Sequence, residues 1–193
     1  MSPSALHLRC PSRGAGVTVL QVKAPSVATD PTACYLRAPL IGEAMGLALA
    51  EAEAALALGE VPVGAVILWE GRVLARGHNL RETRADPLAH AECLALSQAS
   101  RILGRWRLDR ATLVVTLEPC PMCMGAVLQA RVPRLVYGAA DPKAGAAGTL
   151  FDLSDDPRLN HRVQVTRGVR EAEAAGLLRE FFRRRRSGED VQR

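Results

Sequence analysis

The chain has 193 residues, of which 48% are hydrophobic, 23% charged and 4% aromatic, and it carries a formal net charge of +5. That balance belongs to an ordinary globular protein with an aliphatic core, long enough to bury it without disulfides. It excludes a membrane helix, because no stretch approaches the ~18 uninterrupted apolar residues one needs.

Residues 1–40 read as a flexible or weakly structured leader. They hold Pro3, Pro11, Pro25, Pro31 and Pro39, scattered Ser and Gly, and one acid, Asp30. The run "IGEAMGLALAEAEAALALG" opens the periodic part. Met45, Leu49, Ala52 and Leu56 recur at helical spacing, and Gly59 can end that helix. "VPVGAVILW", 61–69, reads as a buried strand, Glu70-Gly71 as a turn and "RVLARGH", 72–78, as the returning strand. A polar loop leads to a helix over about 88–103. "ATLVVTL", 111–117, is a further buried strand, and "PMCMGAVLQAR" a helix with Pro121 in its first turn. "RLVYGA", 134–139, and "RVQVTRG", 162–168, supply two more strands, joined by a long Gly- and Ala-rich loop over 139–160 of the kind that is often functional. A last helix covers about 169–186, and 187–193 form a tail. The order α, β, β, α, β, α, β, β, α predicts a layered α/β domain over 41–186, with a mixed five-stranded sheet and helices on both faces.

The five cysteines are Cys10, Cys34, Cys93, Cys120 and Cys123. Their odd number, without a convincing secretion signal, predicts reduced thiols and a cytoplasmic protein. Cys120 and Cys123 stand three apart at a helix start, where two thiols share a face and the helix terminus favours thiolate. A C-x-x-C pair alone fits a redox couple, half of a structural metal site, or coincidence. His90 changes the balance, because one imidazole and two thiolates make three zinc ligands and leave a fourth position for water. Zinc would bring that water to a pKa of ~7 and so supply hydroxide. Glu92, two residues from His90, could then carry a proton from the water to a leaving amine. Cys93 stands three residues from His90 and is expected to be a small core residue instead.

His-x-Glu followed by Pro-Cys-x-x-Cys is the known signature of zinc nucleobase deaminases. Here it reads "HAE" at 90–92 and "PCPMC" at 119–123. Further stretches narrow the match: "EVPVGAV" at 60–66, "GHN" at 77–79, "GAAGTL" at 145–150, "NHRV" at 160–163 and "FFRRRR" at 181–186. Over residues 42–186 the chain resembles the bacterial tRNA adenosine deaminases of the cytidine-deaminase superfamily.

The resemblance implies a three-layer α/β/α cytidine-deaminase-like fold and one zinc per subunit, held by His90, Cys120 and Cys123. It implies hydrolytic deamination of adenosine to inosine at the wobble position of a tRNA anticodon, with zinc hydroxide attacking C6 and Glu92 as the proton shuttle. The partners implied are a tRNA anticodon stem-loop and a second copy in a homodimer. Asn79 and the backbone of Ala91 would orient the base, Val61 and Pro62 pack beside it, and Glu118 and Pro119 shape the zinc-side wall. Asp141 would contact substrate, and Phe181 and Phe182 would belong to an RNA-contacting helix, one of the two being core. Asn79 and Asp141 also fit simple turn roles, and the arginine run also fits a solvated helix end. The chain departs from the family at Ala140, where a basic residue often precedes the aspartate. It matches only loosely in "LRETRAD", 80–86, where Arg81 or Arg84 could supply phosphate contacts. A free-base or nucleotide deaminase (guanine, cytidine or dCMP) and a noncatalytic zinc-stabilised RNA-binding module are the competing functions.

Overall fold

The computed structural model describes residues 41–188. The expected leader, with Cys10 and Cys34, lies outside the described residues, as does most of the expected tail. Nine elements follow in the predicted order: α1 (Ile41–Ala57), β1 (Gly64–Trp69), β2 (Arg72–His78), α2 (Ala91–Leu103), β3 (Ala111–Leu117), α3 (Pro121–Gln129), β4 (Arg134–Ala139), β5 (Gln164–Thr166) and α4 (Glu171–Ser187).

The strands form one sheet in the order β2-β1-β3-β4-β5. β1 runs antiparallel to both β2 and β3, whereas β3, β4 and β5 are parallel. The sheet is therefore mixed, as expected. Strand alternation explains why both faces are covered, since successive side chains point to opposite sides. Ala65, Ile67, Leu113, Val115, Leu135 and Tyr137 pack with Ala95, Ala99 and Leu96 of α2 and Met124 and Val127 of α3. Val66, Leu68, Val114 and Val136 face the other way, onto Met45, Ala48 and Leu49 of α1 and Ala174 of α4. Helices α2 and α3 thus share one layer, and α1 and α4 the other. Alanine lines both helix layers, so helix and sheet backbones approach closely and little aromatic bulk is needed.

Some boundaries differ from expectation. The strand read over 61–69 begins only at Gly64, because Val61–Val63 form a tight turn in which the Val63 N–H donates to the Val61 carbonyl. The fifth strand shrinks from 162–168 to three residues, its ladder to β4 running only from Arg134↔Gln164 to Val136↔Thr166. Leu56, expected in the buried stripe of α1, is half-buried, and Ala55 takes its place. Among the described residues no helix is long and apolar enough to cross a membrane.

Candidate active site

The N-termini of α2 and α3 meet beside the N-terminal end of β1 and the C-terminal ends of β2 and β3, and each helix is preceded by a potential ligand. His90 is the N-cap of α2 and Cys120 the N-cap of α3, both with extended backbone and neither side chain used for capping. The expected helix over 88–103 therefore starts at Ala91, which leaves the imidazole free of the helix barrel. Pro121 at the first helical position of α3 fixes the entry of that helix, where its missing N–H costs nothing. Gly77 lets β2 abut the first turn of α2, since a Cβ there would lie 2.7 Å from the Ala91 carbonyl oxygen.

His90 Nδ1 stands 3.8 Å from Cys120 Sγ and 3.5 Å from Cys123 Sγ. The donor atoms of the three residues all fall within 4.8 Å of one another. Zinc bonds of about 2.0–2.3 Å put the ligands of a tetrahedral ion roughly 3.5–3.8 Å apart, so the trio fits a metal ion. The hydrogen bond with Cys123 holds the Cys120 thiol down at about 4 and pushes the Cys123 thiol up. The hydrogen bond with Cys120 raises His90 above the usual imidazole range. Cys93 was expected in the core. It is instead half-buried at the surface of α2, with Sγ 3.9 Å from Cys123 Sγ, because its side chain sits where α2 meets α3 rather than over the sheet. It does not belong to the trio.

The trio opens onto a cavity of about 160 Å³. Glu92 lines it while only 4% exposed, and burial raises its carboxyl above the ordinary range. A carboxyl raised in this way holds a proton more readily than a free one, which suits a group that takes up and releases protons. Val61, Asn79, Ala91, Glu118 and Asp141, all expected among the substrate contacts, line the same cavity. Pro62 and Pro119 do not. Both are buried, Val63 takes the place expected for Pro62, and the Pro119 carbonyl accepts the Ala146 N–H.

Two buried carboxylates hold the loops around this cavity. Glu118 is 2% exposed and accepts three backbone N–H groups: Asp141 on Oε2 at 3.1 Å, and Ala147 and Thr149 on Oε1 at 3.0 and 3.1 Å. Expected to shape the zinc-side wall, it tethers the 141–149 loop. Gly145 packs directly on it, where a Cβ would lie 2.3 Å from Oε2. Glu60 is 1% exposed, and its Oε2 accepts the Asn79 side-chain N–H at 3.1 Å while its Oε1 accepts the Thr83 N–H at 2.6 Å. No role for Glu60 was read from the sequence. The available signal was an acid wedged between Gly59 and a wholly apolar strand entry. Asp141 also serves its own turn, Oδ1 accepting the N–H groups of Lys143 and Ala144.

The phenylalanine pair divides cleanly. Phe181, expected with Phe182 among the RNA contacts, is 1% exposed and packs inside, because it lies on the face of α4 turned to the protein. Phe182 is 46% exposed. The two rings meet edge to face at 5.2 Å. The arginine run is partly neutralised, since Glu180 pairs with both Arg183 and Arg184, while Arg185 lies over the Phe181 ring.

A family model described as MafB19-like deaminase matches residues 42–186. The tRNA-specific adenosine deaminase of Bacillus subtilis (strain 168) is 51% identical over 146 residues, covering 76% of this chain and 91% of that protein. A solved structure from work on A-to-I editing by tRNA:A34 deaminases at the wobble position of transfer RNA matches with a TM-score of 0.69 at 44% identity. It covers 70% of this chain and 99% of that one. The guanine deaminase from Nitrosomonas europaea matches at a TM-score of 0.61 and 29% identity, over 72% of this chain and 83% of that one.

Proposed function

The chain belongs to the family of the tRNA-specific adenosine deaminases, and from that premise we propose that it hydrolyses adenosine to inosine at the wobble position of a tRNA anticodon. The observation that carries the reading is one cavity uniting a His90–Cys120–Cys123 trio with the buried carboxyl of Glu92. A purely structural metal site gains nothing from that carboxyl.

The metal proposed is one zinc ion per subunit, held by the trio. When bound, zinc supplies Lewis acidity that makes water a usable nucleophile at neutral pH. Glu92 removes a proton from the water as its oxygen bonds to C6, and returns a proton to the exocyclic nitrogen as the C6–N bond breaks. The products are inosine and ammonia, and Glu92 ends as it began. Asn79, its amide fixed by Glu60, and the Ala91 backbone orient the base, while Val61 packs beside it and Asp141 closes the far side. The base must leave its stack to enter so small a cavity, which a single-stranded loop allows at low cost.

Phe182 stacks on a base of the loop, with Arg185 and Arg186 near the RNA backbone. Phe182→Ala should weaken stem-loop binding by ~1–3 kcal/mol and leave the melting temperature unchanged, as read by fluorescence anisotropy and calorimetry. The protein acts in the cytoplasm as a homodimer, a state that sedimentation of the purified chain checks.

The deciding experiment incubates the purified protein with total tRNA and with isolated anticodon stem-loops, then maps inosine by sequencing. Inosine at the wobble position supports the proposal. Turnover of free guanine or cytidine, with none on the stem-loops, establishes the free-base reading instead. Zinc and RNA binding without turnover of any of these establishes the noncatalytic one.

A further inference from the structure

A second and larger hollow, of about 620 Å³, runs along the free edge of the sheet and takes no part in the chemistry above. Strand β2 has a neighbour on one side only. Its outer edge forms the floor of the groove, α2 one wall and Glu51 of α1 the other. Three exposed arginines from three different segments converge on it: Arg76 of β2, Arg84 of the following loop and Arg101 of α2. None of them has an ion-pair partner among the described residues. Glu51, the groove's acid, is engaged by His78 Nδ1 at 2.8 Å. Elsewhere on the surface Arg105, Arg110, Arg158 and Arg170 all face carboxylates. The groove is thus a place where positive charge collects without compensation.

Its position gives that charge a use. The turn over 80–86 separates the groove from the catalytic cavity, with Arg84 lining the groove and Arg81 the cavity. The turn is stiff. Glu60 accepts the Thr83 N–H, the Leu80 carbonyl accepts the Arg84 N–H, and the Arg81 carbonyl accepts the Asp86 N–H. A chain leaving the cavity over this turn enters the groove directly. An added protein strand is a poor occupant, because the outward N–H of Arg76 is already taken by Gln98 Oε1 at 3.2 Å. The groove presents no phenylalanine, tyrosine or tryptophan, and its one imidazole, His78, is engaged by Glu51, which suits a phosphate backbone rather than stacked bases.

We propose that this groove binds the phosphodiester backbone of the RNA strand flanking the extruded adenosine, with Arg76, Arg84 and Arg101 each holding a phosphate. The proposal rests on the reading that the substrate is an RNA loop. Guanidinium groups suit it because their forked donors match phosphate oxygens.

The test compares R76Q/R84Q/R101Q with a control, R105Q/R110Q/R158Q, that removes the same net charge from surface ion pairs. Binding of a fluorescent anticodon stem-loop is measured by anisotropy across a salt series, with deamination kinetics alongside. Each lost phosphate contact to a single strand should lower the slope of log K against log salt by ~0.7, so the groove variant should lose about 2 from the slope. Its KM should rise at least tenfold with kcat kept within twofold, and the control should change neither by more than twofold. Equal losses in both variants overturn the proposal, since a general field would then suffice, and so does an unchanged groove variant. Conversion of the groove variant from dimer to monomer in sedimentation also overturns it, by assigning the groove to a second copy. If the wild type makes no inosine, the proposed activity has failed, and the salt slopes still judge the groove. If the wild type does not bind the stem-loop at all, the groove proposal falls with it.

Discussion

The catalytic cavity has two walls built on different plans. The wall that could hold a metal comes from two helix starts, and each start carries its candidate ligands within a few residues: His90 before α2, and Cys120 and Cys123 around Pro121. The substrate wall comes from two loops, each hung on a buried carboxylate from elsewhere in the chain. Glu60 reaches 19 residues on to Asn79, and Glu118 reaches 23 to 31 residues on to Asp141, Ala147 and Thr149. A buried carboxylate would be costly alone, and the backbone donors offset that cost while fixing the loops. The first wall is set by local sequence, and the second by long-range hydrogen bonds.

Four substitutions probe that division. The largest effect belongs to Cys120→Ala, which should remove both the metal and the activity, with metal content read by atomic absorption. Next comes Glu92→Gln, which should cost ~10²–10⁴ in turnover, the usual scale for a proton-transferring group, while the metal stays bound. If Glu92→Gln keeps wild-type turnover, the role given to this carboxyl is wrong. Glu118→Gln acts on the other wall. Leaving a buried backbone donor unpaired costs about 1–3 kcal/mol, so the amides of Ala147 and Thr149 should exchange hydrogen faster and kcat/KM should fall, with metal content intact. A joint loss of metal and loop protection would show that the two walls are not separable. The smallest effect is expected from Glu60→Gln, which keeps one oxygen acceptor and loses about one hydrogen bond, roughly 0.5–1.5 kcal/mol. That should appear as a several-fold rise in KM at constant kcat.

The same division explains what could be read before the structure was known. The element order, the mixed sheet and the metal trio follow from periodicity, Pro121 and two short motifs, all of them local. The start of α2 was placed three residues early because Leu88 and Ala89 continue the apolar pattern of the helix. The structure spends them instead on a turn in which the Ala89 N–H donates to the Asp86 carbonyl. The fifth strand was read too long because its flanks are equally β-prone, while β4 offers a parallel partner for only three residues. Glu60 and the tethering role of Glu118 could not be read, because their partners are mostly backbone N–H groups, which every residue but proline possesses. Nothing in the identity of Ala147 or Thr149 announces that its amide is needed. Phe181 and Phe182 are identical letters, and only the rotation of α4 against the sheet separates them.

The seat of Gly145 on Glu118 has a consequence for how this cavity could change over evolution. Any side chain at position 145 would press on the carboxylate that gathers three backbone donors, so one substitution would release the loop at several points together. The loop is then a fixed frame, and the side chains free to change are those that line the cavity without bonding to it, such as Ala144 and Val61. New base preferences can arise by exchanging those side chains while the frame keeps its shape, so chemistry and selectivity can drift separately within one scaffold.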